Sequence, residues 1–260
     1  MKRILFVLVT IVMGLFLFFS VQSTYSSSKK MLFKQTLYSQ MTTDRILRIE
    51  GFSNSKTLYA EFEAIESIYI SSLDERYKLL PVSYQIETSG TYEYLGDTYT
   101  KYIYKLELPE IEIDYYIKSC YLNILLKNGE ILKASIGRLS LMKPSDMNDF
   151  SIYNQYGMNS NEGHFLTTIV LDIVTKRPLQ IESVCYTVNH CVELSISIEH
   201  QKTIEISMES DVFYYQQTAL KIIYSIEGTL YSQTVDTFKY FEHMTNVIPE
   251  NSLNRIYVID

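Results

Sequence analysis

The chain has 260 residues, with 23 basic and 30 acidic side chains giving a net charge of −7 at pH 7. That balance speaks against nucleic acid as a partner, because a basic stripe is the minimum electrostatic footprint for it. It also gives no reason for attachment to anionic lipid beyond the N-terminal segment. Tyrosine is the unusual count, 23 residues with no tryptophan, and Tyr, Ile, Val and Thr suit half-buried pleated surfaces.

The chain opens with Lys2 and Arg3, followed by the apolar run Ile4 to Val21. A run of about 18 residues with no ionised side chain after a charged flank fits an export signal and is also just long enough to span a bilayer uncleaved. Val21 and Ser23 suit the minus-three and minus-one positions of a cleavage site, whereas Phe16, Phe18 and Phe19 favour retention as an anchor. Both fates stay open. Lys2 and Arg3 orient the rest of the chain to the far side of the membrane by the positive-inside tendency. The expectation is therefore an extracytoplasmic chain, anchored through residues 4–21 or released after cleavage near Ser23.

Residues 26–43 read as a tether that begins Ser-rich, in which Phe33, Leu37 and Met41 recur at helical spacing and suggest a turn or two of helix. From Ile46 the period changes to two. Ile46 to Gly51 reads as a strand, and Leu58, Ala60, Phe62 and Ala64 alternate with polar residues as a second one running into Ile65 to Ser71. Val82 to Leu108 contains a Tyr-rich hairpin, with Tyr92, Tyr94, Tyr99, Tyr102 and Tyr104 around a Gly96-Asp97 turn. Glu110, Glu112 and Asp114 alternate with Ile111, Ile113 and Tyr115 along an extended segment. Tyr121 to Leu126 and Glu130 to Ile136 flank Lys127, Asn128 and Gly129, and an Asn-Gly turn between such runs is a strong hairpin signal.

Residues 144–163 are rich in Pro, Asp, Asn and Gly and mark a linker, with Phe150, Ile152 and Tyr153 as a candidate edge strand. Beyond it, strands are expected over Phe165 to Val174, Leu179 to Thr187, Val192 to Ile198, Thr203 to Ser207, Ala219 to Ile226, Tyr231 to Phe238 and Arg255 to Ile259. The two halves resemble each other. Ile65-Glu66-Ser67-Ile68 matches Ile181-Glu182-Ser183-Val184, and Leu122, Ile124 and Gly129 match Leu220, Ile222 and Gly228. If the halves are copies, the hairpin at 88–108 is largely an insertion in the first. The expected architecture is all-β: an N-terminal hydrophobic helix (1–25), the tether (26–43), a β-sandwich at 44–143, the linker (144–163) and a second β-sandwich at 164–260. The pattern resembles immunoglobulin-like or fibronectin-type sandwiches, although the tryptophan of antibody-type domains is absent.

The chemistry-bearing residues are sparse. Cys185 and Cys191 could face each other across a hairpin and form a local disulfide in an oxidising compartment, with Cys120 as a buried thiol. Cys185, His190 and Cys191 fall short of the four tightly spaced ligands of a structural zinc site. Glu110, Glu112 and Asp114 weigh a calcium or acid/base face against the solvated side of a strand, and the solvated side is the better reading. No Gly-rich phosphate motif, zinc-protease motif or hydrolase elbow occurs. Tyr92, Tyr94, Tyr99 and Tyr102 are the candidate contact surface, because tyrosine offers a large amphipathic area. No cofactor or metal is expected. The function expected is a non-enzymatic envelope module of bacterial type that binds another protein, with an envelope-glycan binder and an enzyme with a dispersed site as alternatives.

Overall fold

The computed structural model describes residues 29–94, 96–145, 147–159, 166–208, 214–215, 217–239 and 256–259. The N-terminal apolar run lies outside these residues; among those described, no helix is long and apolar enough to cross a membrane. The strands of the first half are β1 (Met31–Lys34), β2 (Thr36–Met41), β3 (Ile46–Ser53), β4 (Ile65–Ser72), β5 (Lys78–Leu79), β6 (Ser83–Tyr94), β7 (Asp97–Glu107), β8 (Tyr115–Leu126) and β9 (Ile131–Met142). Those of the second are β10 (Phe150–Asn159), β11 (Leu166–Thr175), β12 (Leu179–Thr187), β13 (His190–Ile198), β14 (Gln201–Ser207), β15 (Tyr214–Tyr215), β16 (Gln217–Ile226), β17 (Thr229–Lys239) and β18 (Ile256–Ile259).

They form four sheets, ordered β18-β1-β3-β7-β6, β15-β2-β9-β8-β4-β5, β10-β11-β14 and β13-β12-β16-β17. The first two sheets enclose one core, in which Phe33, Leu47, Ile49, Tyr104 and Leu106 meet Ile68, Ile70, Leu122, Ile124 and Ala134. The other two enclose a second, in which Phe150, Ile169, Leu171 and Ile173 meet Ile181, Val184, Leu220 and Ile222. The period-two spacing of these residues along each strand is what puts them on one face, and burying each Leu, Ile or Phe contributes about 1.5–3 kcal/mol. With β1, β3, β4, β6, β7, β8 and β9 lettered A to G, the first unit reads A-B-E-D in one sheet and C-F-G in the other, which is the immunoglobulin-type order. The second unit repeats it as β10-β11-β14 and β12-β16-β17, with no counterpart of β6 among the described residues. The matched Ile-Glu-Ser segments take equivalent places. In β4 the register against β8 slips between Ile65 and Ser67, and in β12 the register against β16 slips between Ile181 and Ser183.

Several expectations are corrected. The tether is structure: β1 and β2 are strands, and Phe33, Leu37 and Met41 are all buried. Their helix-like spacing arises because the chain breaks at Gln35 and changes sheets, so Phe33 enters the first core and Leu37 the second. The alternation over Leu58 to Ala64 is not a strand but two 3-10 turns, Leu58–Ala60 and Phe62–Ala64, the first capped by the Thr57 hydroxyl accepting from the Tyr59 N–H. The Tyr-rich hairpin turns one residue earlier than expected, since Asp97 already pairs with Tyr94, and Gly96 takes φ +82° in the turn. Nor are the two units cut cleanly at the linker. The late strands β15 and β18 pair with β2 and β1 of the first unit, against the expected second domain of 164–260.

Candidate functional site

The Tyr-rich hairpin is not an open contact surface. Tyr94 and Tyr99 are buried in a small cluster with Leu32 and Phe52 on the outer side of the β18-β1-β3-β7-β6 sheet, and half-buried Tyr92 packs against it. Tyr92 meets Phe52 edge-on at 5.8 Å, while the nearby Lys101 is buried and bonded at 2.6 Å to Glu50. Tyr102 and Tyr104 face inward, and the Tyr104 hydroxyl donates to the Tyr59 carbonyl at 2.9 Å. Tyr92, Tyr94, Tyr99 and Tyr102 are thus held by cross-strand and cross-sheet partners.

Cys185 and Cys191 are opposed on β12 and β13, with their Cα atoms 3.9 Å apart, and form a disulfide. Cys120 is a buried thiol of the first core, and burial pushes its pKa up. His190 sits at the hairpin tip, its Nδ1 2.8 Å from the Thr187 hydroxyl and its ring stacked on Tyr186. Among the described residues no group of three or more His, Cys, Asp or Glu side chains is arranged to hold a metal. Glu110, Glu112 and Asp114 lie outside any sheet, and Asp114 pairs with Lys221 of the second unit at 2.7 Å.

That ion pair belongs to a junction which sequence reasoning missed. The Ser39 hydroxyl of β2 donates to the Tyr186 carbonyl at 3.0 Å and accepts from the Ala219 N–H at 3.2 Å. The Ser140 hydroxyl of β9 accepts from the Val188 N–H at 3.0 Å. Met41, Met142, Cys185 and Ala219 form an apolar cluster between the units, with Val188 and Ile223 packed on it. Asp114 also accepts the Lys143 N–H at 2.8 Å, and Ser145 donates its N–H to the Thr234 hydroxyl at 3.0 Å. The two sandwiches are therefore clasped rather than strung on a loose linker.

The end of the first unit that meets the second carries an exposed apolar group. Leu73, Tyr77, Leu80, Val82 and Ile113 are exposed by between 53% (Tyr77) and 67% (Ile113). Hydrogen bonds and rings tie their segments to one end: Ser72 N–H donates to the Tyr77 carbonyl, Val82 N–H to the Glu107 carbonyl, and the Tyr77 ring lies 6.0 Å from that of Tyr115. Around it stand Asp74, Glu75, Glu110 and Glu112, with Arg76 and Lys78. A hydrogen bond from the Ser72 hydroxyl, the largest effect, lowers the pKa of the Asp74 carboxyl, with Arg76 3.1 Å away adding to it. Clustered large apolar side chains with a charged rim are the usual makings of a protein contact. The only sequence signal was the density of apolar residues in Leu79 to Val82, and a strand pattern absorbs such a signal.

No protein-family model matches the sequence, and no curated protein does. Among solved structures the chain is similar to the titin domains z1z2 in complex with telethonin, at 9% identity over 82% of this chain and 98% of that one, with a TM-score of 0.22. It is similar to the D00-D0 domain of intimin at 9% identity over 81% of this chain and 98% of that one, TM-score 0.20. A third is the Pseudomonas aeruginosa CupB2 chaperone, at 10% identity over 77% and 96%, TM-score 0.17. Scores of this size carry no argument, and the sandwich assignment rests on the strand order.

Proposed function

We propose that this chain is a non-enzymatic, extracytoplasmic interaction module of the cell envelope that binds another protein through the apolar surface at the junction of its two sandwiches. The observation that carries the reading is that Leu73, Tyr77, Leu80, Val82 and Ile113, in the segments that close the end of the first unit clasped to the second, are all more than half exposed. The extracytoplasmic placement is supported by Lys2, Arg3 and the apolar run Ile4 to Val21, and by the Cys185–Cys191 disulfide, since disulfides persist in oxidising compartments. The segment 4–21 either holds the module at the membrane or is removed near Ser23. The glycan-binding alternative loses its main support, because it needed a line of exposed aromatics and the Tyr-rich hairpin buries two of its four candidates.

The test is cross-linking on intact cells producing the full chain, comparing wild type with a Leu73→Ser, Tyr77→Ser, Val82→Ser, Ile113→Ser variant. Wild type should recover one dominant protein, and the variant should lose at least about 90% of it, as expected when the apolar anchors of an interface are truncated. A folded variant that recovers the same protein in the same yield refutes the junction as the contact surface.

A further inference from the structure

The second unit has a sheet edge whose counterpart in the first unit, β1, is covered by β18. β10 borders the β10-β11-β14 sheet, and no strand among the described residues pairs with its other side. Phe150 to Asn159 contains no ionised side chain and no proline. The other edge strands of this unit are charged: β14 has Lys202 and Glu205, β13 has Glu193 and β17 has Asp236. Proteins ordinarily guard a bare edge with charge, proline, bulges or shortness. The β10–β11 pairing has two register shifts, between Ile152 and Asn154 and between Met158 and Asn159, and between them Asn154 to Met158 pair one for one with Asp172 to Thr168. Tyr153 is 81% exposed, Tyr156 and Met158 stand in solvent on this regular stretch, and a cleft of about 600 Å³ runs between Ser151 to Gln155 of β10 and Gln233 to Val235 of β17.

The repeat shows what such an edge takes. β1 stands in the first unit where β10 stands in the second: each is the first strand of its unit and runs antiparallel to the next strand of its sheet, β3 or β11. The free side of β1 is filled by β18, antiparallel, with Met31 opposite Ile259 and Lys34 opposite Ile256. The occupant is a four-residue uncharged segment, Ile256-Tyr257-Val258-Ile259. We propose that β10 is a docking edge that accepts an uncharged, aliphatic or aromatic extended segment of a partner protein as an antiparallel fourth strand of its sheet. Main-chain hydrogen bonds give such a complex its affinity, and the side chains alternately face the cleft and solvent. This surface is separate from the junction, so each stands or falls alone.

The test uses the full chain with a synthetic peptide of residues Arg255–Asp260 as probe, read by residue-resolved amide exchange. The peptide should slow exchange at least tenfold at alternate residues from Asn154 to Met158. A Tyr156→Lys, Met158→Lys variant should lose that protection while β11 and β14 keep theirs, which shows that the unit is folded. The junction variant with four serines should keep it. No protection of β10 at millimolar peptide overturns the proposal, and so does protection confined to β1, where the peptide would merely replace β18. Protection of β10 that rises with protein concentration in the absence of peptide also overturns it, because the occupant would then be a second copy.

Discussion

Replacing Gly137 by Ala tests whether β2 is truly part of the first sandwich and of its clasp. Gly137 adopts φ +107° where β9 receives Thr36 of β2, and a Cβ there would lie 2.0 Å from the Thr36 carbonyl oxygen and 2.7 Å from its nitrogen. An L-residue at such a φ costs about 1–2 kcal/mol. The clash is with backbone, so β2 must lift from β9 around Thr36, losing a hydrogen bond worth about 1 kcal/mol and part of the burial of Leu37, about 1–2 kcal/mol more. The expected loss is about 3–5 kcal/mol in total. Gly129→Ala is the control, because Gly129 has φ +89° but nothing within 4 Å of the added atom, and should cost only about 1–2 kcal/mol. Urea unfolding of the full chain reads both. Amide exchange at Val188 and Ala219, whose N–H groups bond to the Ser140 and Ser39 hydroxyls, should accelerate in the Gly137 variant alone. Equal destabilisation by the two substitutions refutes the placement of β2 against β9.

Two further outcomes follow from the second unit. Replacing Cys185 and Cys191 together by Ser opens a short loop and should cost about 2 kcal/mol by the loop-entropy relation; because the same hairpin contacts Ser39 and Ser140, the Val188 amide should exchange faster, and an unchanged rate would separate the disulfide from the junction. The Tyr224 hydroxyl donates to Asp149 at 2.6 Å and Arg177 pairs with it at 2.9 Å, so the Asp149 pKa is lowered from 3.8. A carboxylate whose folded pKa is depressed stabilises fully above its unfolded value and loses that contribution as pH falls through the folded one. Stability of the second unit should therefore drop below about pH 4, with a shallower slope in Asp149→Asn; identical slopes would remove Asp149 from the account.

Much of the fold was legible because strand information is local. Alternation at period two marked Leu179 to Thr187 and most of its neighbours, and the Asn-Gly turn marked the β8–β9 hairpin, since Gly129 takes the positive φ that such a turn needs. The spacing of Cys185 and Cys191 allowed a disulfide across the five residues Tyr186 to His190, and the structure forms it by placing a two-residue turn at Val188 and Asn189. These signals depend only on a residue and its near neighbours, and the sequence alone determined them.

What remained was decided by contacts between segments distant in the chain. Phe33, Leu37 and Met41 carry a helical spacing because each is buried against a different partner, and no local rule distinguishes that from one face of a helix. The tyrosines at 94 and 99 have the same composition whether exposed or covered, and Leu32 and Phe52 of other strands cover them. The apolar residues at 73, 77, 80, 82 and 113 come to one end of the first unit only when β4, β6 and β8 bring their ends together, and β10 is an edge because none of the described strands pairs with its free side, whereas β18 fills that of β1. Hydrophobic burial has no direction of its own, so the sequence sets which residues seek cover, and the tertiary arrangement sets which of them find it.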